Sequence, residues 1–189
     1  MLIEDGTGTG NRAKVDAYNR LTTRAIIETE KSNATDNGDS YNFNSGLIAI
    51  TATSGLLYFK NNEDTNFVID DIAVGVGQGG TASDLGVVTI IKNPTTGTVI
   101  SNASAADINV NRNFASSNTI TGLLYKGASG TTFTNGTDAA ILYQGEGRLF
   151  ASLGFELAKG DSIGIKYAPN LSAGTRNVYA AIVGFSKEA

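Results

Sequence analysis

Cysteine, histidine and tryptophan are all missing from the 189 residues, and there are only two prolines and one methionine. Without cysteine there is neither a disulfide nor thiolate chemistry. Losing histidine as well removes the usual zinc ligands, the Ser–His and Cys–His nucleophile pairs and the commonest general base. The expectation is a protein that is not an enzyme and needs no cofactor and no metal, with a carboxylate-only mechanism as the formal exception. Apolar runs of the roughly 18 residues that a membrane span requires are absent too. The opening MLIEDGTGTGNR has no basic region followed by an apolar stretch, so no signal peptide is read there. A soluble protein, made in the cytosol and without a membrane partner, is expected. Basic clusters are scarce: the formal charge is −4 and the sequence pI about 4.8, which argues against nucleic acid as a partner. The four Asn-x-Ser/Thr sequons, at Asn33, Asn102, Asn135 and Asn170, are then chance matches in a chain rich in those residues.

What the chain does have is glycine, 23 residues of it, together with abundant Asn, Ser, Thr and Ala. That balance suits short strands joined by tight turns. A chain of this length forms one domain, or one domain plus an arm, and buries roughly 70% of its unfolded surface. Charge divides it. Residues 1–31 carry five basic groups (Arg12, Lys14, Arg20, Arg24, Lys31) and five acidic ones, while the remainder is acidic and sparsely charged. We divide the chain accordingly into an N-terminal docking arm or hairpin at 1–35 and a body at 36–189.

Residues 13–30 can be read as strand–turn–strand or as a helix. Leu21, Thr23, Ala25 and Ile27 alternate beyond a turn at 16–19, whereas Val15, Tyr18, Leu21 or Thr22, and Ala25 fall at helical steps. The β-branched pairs Thr22-Thr23 and Ile26-Ile27 favour strands. The polar stretch 31–42 has no periodicity and reads as a linker. The body then supplies a strand about every ten residues, at 46–53, 56–61, 66–76, 87–93, 98–101, 120–126, 139–144, 148–157, 162–167 and 178–186. Pro94-Thr95-Thr96-Gly97 is a good turn. Val68, Ile72, Val74 and Val76 share parity. The last strand is apolar on both faces, so both should be covered. Even strand spacing without a 40-residue repeat points to an all-β antiparallel β-sandwich.

Sites of chemistry are hard to find. Gly75-Val-Gly77-Gln-Gly79-Gly80 matches the dinucleotide fingerprint in letters, but Thr81 to Gly86 leads into another strand, not a helix. Asn33 to Gly38 imitates the start of a calcium loop, yet Asn44 stands where the bidentate glutamate belongs, so a polar turn is expected. A surface calcium on Asp36, Asn37 and Asp39 is the remaining alternative. Glu146 lies in a turn and Glu156 on a solvent-facing strand position, and neither shows the burial that a catalytic carboxylate pair requires. Asp70-Asp71 reads as one solvated and one hydrogen-bonded carboxylate. Tyr41, Phe43, Tyr58, Phe59 and Phe67 are assigned to the core. Phe133, in the loop GASGTTFTNGTD, is the exposed-loop contact candidate.

Four stretches carry a family resemblance. They are Asp5-Gly-Thr-Gly-Thr-Gly-Asn-Arg-Ala-Lys-Val-Asp-Ala-Tyr-Asn-Arg-Leu21, IKNPTTGTVISNA at 91–103, NRNFASSN at 111–118, and the closing Leu157 to Pro169 with Val178 to Phe185. Together the chain resembles virion structural proteins of tailed bacteriophages, of the jelly-roll type that decorates (cements) a capsid or forms head fibres. The resemblance implies a jelly-roll body, a homotrimer, a place on the virion surface after synthesis in the host cytoplasm, and a major capsid protein or neighbouring virion subunits as partners. It brings no catalytic motif. On this reading Arg12, Lys14, Val15, Arg20, Leu21 and Arg24 form the capsid-docking arm. The alternative is a receptor-binding or tail-fibre head whose loops, such as 127–138, recognise a host glycan.

Overall fold

The computed structural model describes residues 14–15, 21–22, 29–77, 85–95, 108–144, 147–170 and 174–187. The body is an antiparallel β-sandwich, as its alternating apolar patterns predict. One sheet holds β3 (Ser40–Asn44), β4 (Ile48–Ile50), β6 (Phe67–Val76), β8 (Ile108–Asn111), β11 (Gly147–Ala151), β12 (Phe155–Leu157) and β14 (Arg176–Ser186). The other holds β5 (Ser54–Asn61), β7 (Gly86–Lys92), β9 (Gly122–Lys126), β10 (Thr137–Gln144) and β13 (Ser162–Ala168), in the order β10-β7-β13-β5-β9. Among the described strands from β3 to β14 the chain crosses between the two sheets at eight of eleven connections. Before the body, β1 (Lys14–Val15) and β2 (Leu21–Thr22) pair antiparallel in a sheet of their own. At those four residues the strand reading holds; the turn read at 16–19 lies outside the described residues.

The larger sheet is ordered β11-β6-β14-β3-β8, with β12 added to β6 and β4 to β14. β14 therefore bonds to β6 on one side and to β3 and β4 on the other. Its inward residues Val178, Ala180 and Ile182 are fully buried. On its outer face Ala181 and Phe185 are buried as well, so the expected two-sided cover is present at these positions. Between the sheets, Phe43, Phe59 and Phe67 form a triangle with ring centroids 4.8, 4.9 and 5.6 Å apart. All five aromatics assigned to the core are buried. Asn61 is buried with every polar atom used: its Nδ2 donates to the Thr65 and Leu157 carbonyls, and its Oδ1 accepts from Glu63 N.

Four expectations change. The stretch 31–42 is not a linker, and 33–38 is not a turn: α1 (Glu30–Asn37) and β3 occupy it. Periodicity could not reveal this helix because Ala34 is its one buried residue; its ends define it. Thr29 Oγ1 accepts from Ser32 N at the N-cap, and Gly38 takes the left-handed conformation at φ 82°, its N–H bonding the Thr35 carbonyl, a common helix stop. The division drawn after residue 35 falls inside α1. Second, Val68 does not share a face with Ile72. A bulge at Asp70, where Val183 pairs with Asp71 but Gly184 pairs with Ile69, switches parity and turns Phe67 and Ile69 inward instead. Third, 148–157 is two strands, broken where the Ser152 hydroxyl bonds the Asp71 carboxylate. Fourth, β8 is an additional strand, at 108–111. The strand expected at 98–101 lies outside the described residues.

The aromatic triangle makes the first prediction. Phe59→Ala should lower unfolding free energy by about 3–5 kcal/mol, measured by denaturant titration. A loss below about 1 kcal/mol would contradict its place at the centre of the core.

Candidate functional site

The segment following β8 reads Asn111-Arg-Asn-Phe-Ala-Ser-Ser-Asn118, and its asparagines have a specific task. A helix leaves its last carbonyls without intrahelical donors. Here Asn113 Nδ2 donates to the Asp36 carbonyl at 2.9 Å and Asn118 Nδ2 to the Asn37 carbonyl at 3.2 Å. Asn111 Nδ2 donates to the Gly38 carbonyl. Within the loop, Asn111 Oδ1 accepts from Asn113 N and Asn113 Oδ1 from Ala115 N, so both side chains also shape their own turn. The close fit demands glycine at 38: a Cβ there would lie 2.1 Å from Ser116 Oγ. At the other end of α1, Lys31 makes an ion pair with Asp70. The helix is thereby fastened to the β3–β8 edge of the sandwich. At the tip of the clamped loop stands Phe114, 93% exposed. A phenylalanine so exposed, on a loop braced by side-chain hydrogen bonds, is a candidate contact for another molecule. Sequence reading used these residues only for the family resemblance.

A second surface lies at the opposite edge. β10 and β11 are consecutive strands at one end of each sheet order. Leu142 and Leu149 point into the core, which leaves Ile141 and Tyr143 on one outer face and Phe150 on the other, at 54%, 71% and 66% exposure. Large apolar side chains on free edge strands are what protein interfaces cover, and edge strands without cover are an aggregation hazard.

Neither surface includes Phe133. That ring is half-buried: it packs on Tyr58, 6.3 Å between centroids, and it lies over Gly164, where a Cβ would come 2.8 Å from its Cζ. Tyr58 stacks in turn on Tyr125 at 5.8 Å. Phe133 thus helps cover the smaller sheet. Of the arm residues, Lys14, Val15 and Leu21 fall in the β1–β2 pairing, while Arg12, Arg20 and Arg24 lie outside the described residues.

The carboxylates are arranged for structure. Glu156 faces solvent, as its strand parity predicted; hydrogen bonds from Asn66 and Lys187 hold its pKa below the usual value. A bond from Lys159 does the same for Asp64. A general acid needs the opposite shift. Glu146 lies outside the described residues. Asp39, Tyr41, Glu63, Asn118 and Lys187 line an open polar cleft of about 410 Å³, but Glu63 already accepts from Thr121 N and Asp39 from Asn118. A smaller, mostly apolar cavity of about 130 Å³ sits beside Phe155, Leu157 and Ile163. Among the described residues there is no group of three or more acidic side chains placed to hold a metal ion. Gly75, first of the fingerprint glycines, is explained by packing: a Cβ would lie 1.9 Å from Tyr179 Cε1. Compared with models of known protein families and with curated proteins, the chain matches none.

Two predictions follow from these contacts. Asn111→Ala should destabilise the protein by about 1–3 kcal/mol, because it removes a donor to the helix end and the turn acceptor together, whereas Phe114→Ser should change thermal stability by no more than about 0.5 kcal/mol. Equal losses would mean that Phe114 belongs to the packed body. Separately, burial and then the negative charges of Asp39 and Glu63 push the Tyr41 phenol up to about 12 from an ordinary 10. The folded chain therefore keeps a proton that the unfolded chain loses above pH 10, so this group's contribution is intact below pH 10 and declines as pH rises to 12. Absorbance titration at 295 nm should show late tyrosines, Tyr41 and Tyr167, and one fewer in Tyr41→Phe; a single step near 10 would contradict the shift.

Proposed function

We propose that this protein is a structural component of a bacteriophage virion, a decoration or cement protein that binds the outside of a capsid and has no catalytic role. The observation that carries the reading is a pair of exposed apolar surfaces at opposite edges of the sandwich. One is Phe114 beside α1, and the other is the β10–β11 edge. A decoration protein needs two such surfaces, one for the capsid and one for its own neighbours. In our reading the arm leading into α1 and the clamped Phe114 loop dock on the major capsid protein, and the β10–β11 edge packs against copies of the chain in a homotrimer. The resemblance to jelly-roll virion proteins supports the placement on a capsid surface.

Glycan recognition by the 127–138 loop is the weaker reading, because its best aromatic, Phe133, packs on Tyr58. The experiment is a binding assay on undecorated phage heads with purified protein. Deleting residues 1–28, which leaves the Thr29 cap and α1 in place, should abolish occupancy. Phe114→Ser should weaken it at least about tenfold, the loss of a central apolar anchor. Tyr143→Lys with Phe150→Lys should shift sedimentation from trimer to monomer. Unchanged occupancy after the deletion would overturn the docking assignment.

A further inference from the structure

Arg176 opens β14 on its inward face, in line with Val178, Ala180 and Ile182. It pairs across the sheet with Ile50, itself fully buried. The arginine is 1% exposed, yet Nε, Nη1 and Nη2 have no hydrogen-bond partner among the described residues. The hydroxyl of Tyr167, at the end of β13, is also buried and without a partner. Tyr167 ends β13 and Arg176 opens β14, the next strand and part of the opposite sheet, so the two face inward at the same end of the sandwich. The tyrosine's position is fixed by Gly86, where a Cβ would lie 2.2 Å from the Tyr167 hydroxyl oxygen.

A guanidinium cannot shed its proton to escape this surrounding. An unpaired charge in such a place is strongly destabilising, unlike a paired one. Its donors form a planar fork suited to two oxygens of one anion, and a neutral phenol adds one further donor. A divalent anion would leave a net negative charge buried, so charge balance selects a monovalent one.

We propose that Arg176 and Tyr167 form an internal binding site for a small monovalent oxyanion of carboxylate geometry, held inside the end of the sandwich. Formate is the probe. The site is independent of the capsid role, since neither residue belongs to the two exposed surfaces.

The test is thermal unfolding of the full chain in rising sodium formate, with ionic strength held constant by a bulky sulfonate buffer salt. Ligand binding to the folded state alone raises Tm without limit in the logarithm of concentration, by about 3–6 °C per tenfold above Kd for a protein of this size. Wild type should show that rise, and Tyr167→Phe should need several-fold more formate. Arg176→Met, which replaces the charge with an apolar chain of similar length, should melt above wild type in the sulfonate alone and should not respond to formate. A formate-dependent shift of the Arg176 Nε–H resonance in wild type checks the site without any variant. A formate-independent Tm in wild type would overturn the proposal, as would an equal rise in Arg176→Met.

Discussion

Everything in the larger sheet depends on β14 lying between β6 and β3. A strand bonded on both edges and packed on both faces can be accommodated only if its neighbours leave room at every residue. That requirement explains several odd features of the sequence at once. Gly75 is bare because Tyr179 of β14 lies across it. The bulge at Asp70 exists because β6 and β14 shift register there, and the two aspartates it displaces outward find Lys31 and Ser152. Ser40 Oγ reaches the Gly184 carbonyl across 144 residues of chain. With so many long-range pairings meeting at one strand, the sheet has a high contact order, and folding should be slow compared with a helical protein of this size.

The same strand connects core and surface. Its outer face gives α1 somewhere to pack, and α1 in turn gives the 111–118 loop a set of carbonyls to bind. Remove the helix end and three asparagine side chains each lose an acceptor; remove the asparagines and three carbonyls at the helix end lose a donor. The bracing of Phe114 is thus a consequence of how a short polar helix, too weak to form alone, is held against the sheet. A docking residue presented in this way loses little conformational freedom on binding, which is where affinity is usually lost.

How much of this could be read from residues alone follows from the physical signal each element carries. Strands such as β6, β13 and β14 announce themselves because one face is apolar and the period is two. The sandwich class follows from them. α1 and β3 carry no such signal: SNATDNGDSYN buries its small and polar groups through hydrogen bonds made by residues some 75 positions away, and only the Thr29 and Gly38 caps hint at a helix. Phe133 and Phe114 reverse roles for a related reason. Both sit among polar loop residues, and what separates them is whether a glycine in a neighbouring strand, Gly164, offers the ring a seat.

Arg176 marks the far limit of sequence reading. Placed just before an apolar run, an arginine looks like the solvated approach to a strand, and the apolar pattern begins only at Val178. Register decides otherwise, because pairing of Val178 with both Ile48 and Val76 fixes the parity of the whole strand. Arg176, two residues earlier, must then face inward with Val178, since β-strand side chains alternate. Natural sequences tolerate a buried charge where it is matched, and exchange it for an apolar residue at little cost where it is not. Arginine at this position, beside a tyrosine whose hydroxyl is likewise unbonded, is therefore better understood as half of an interaction than as an error of packing.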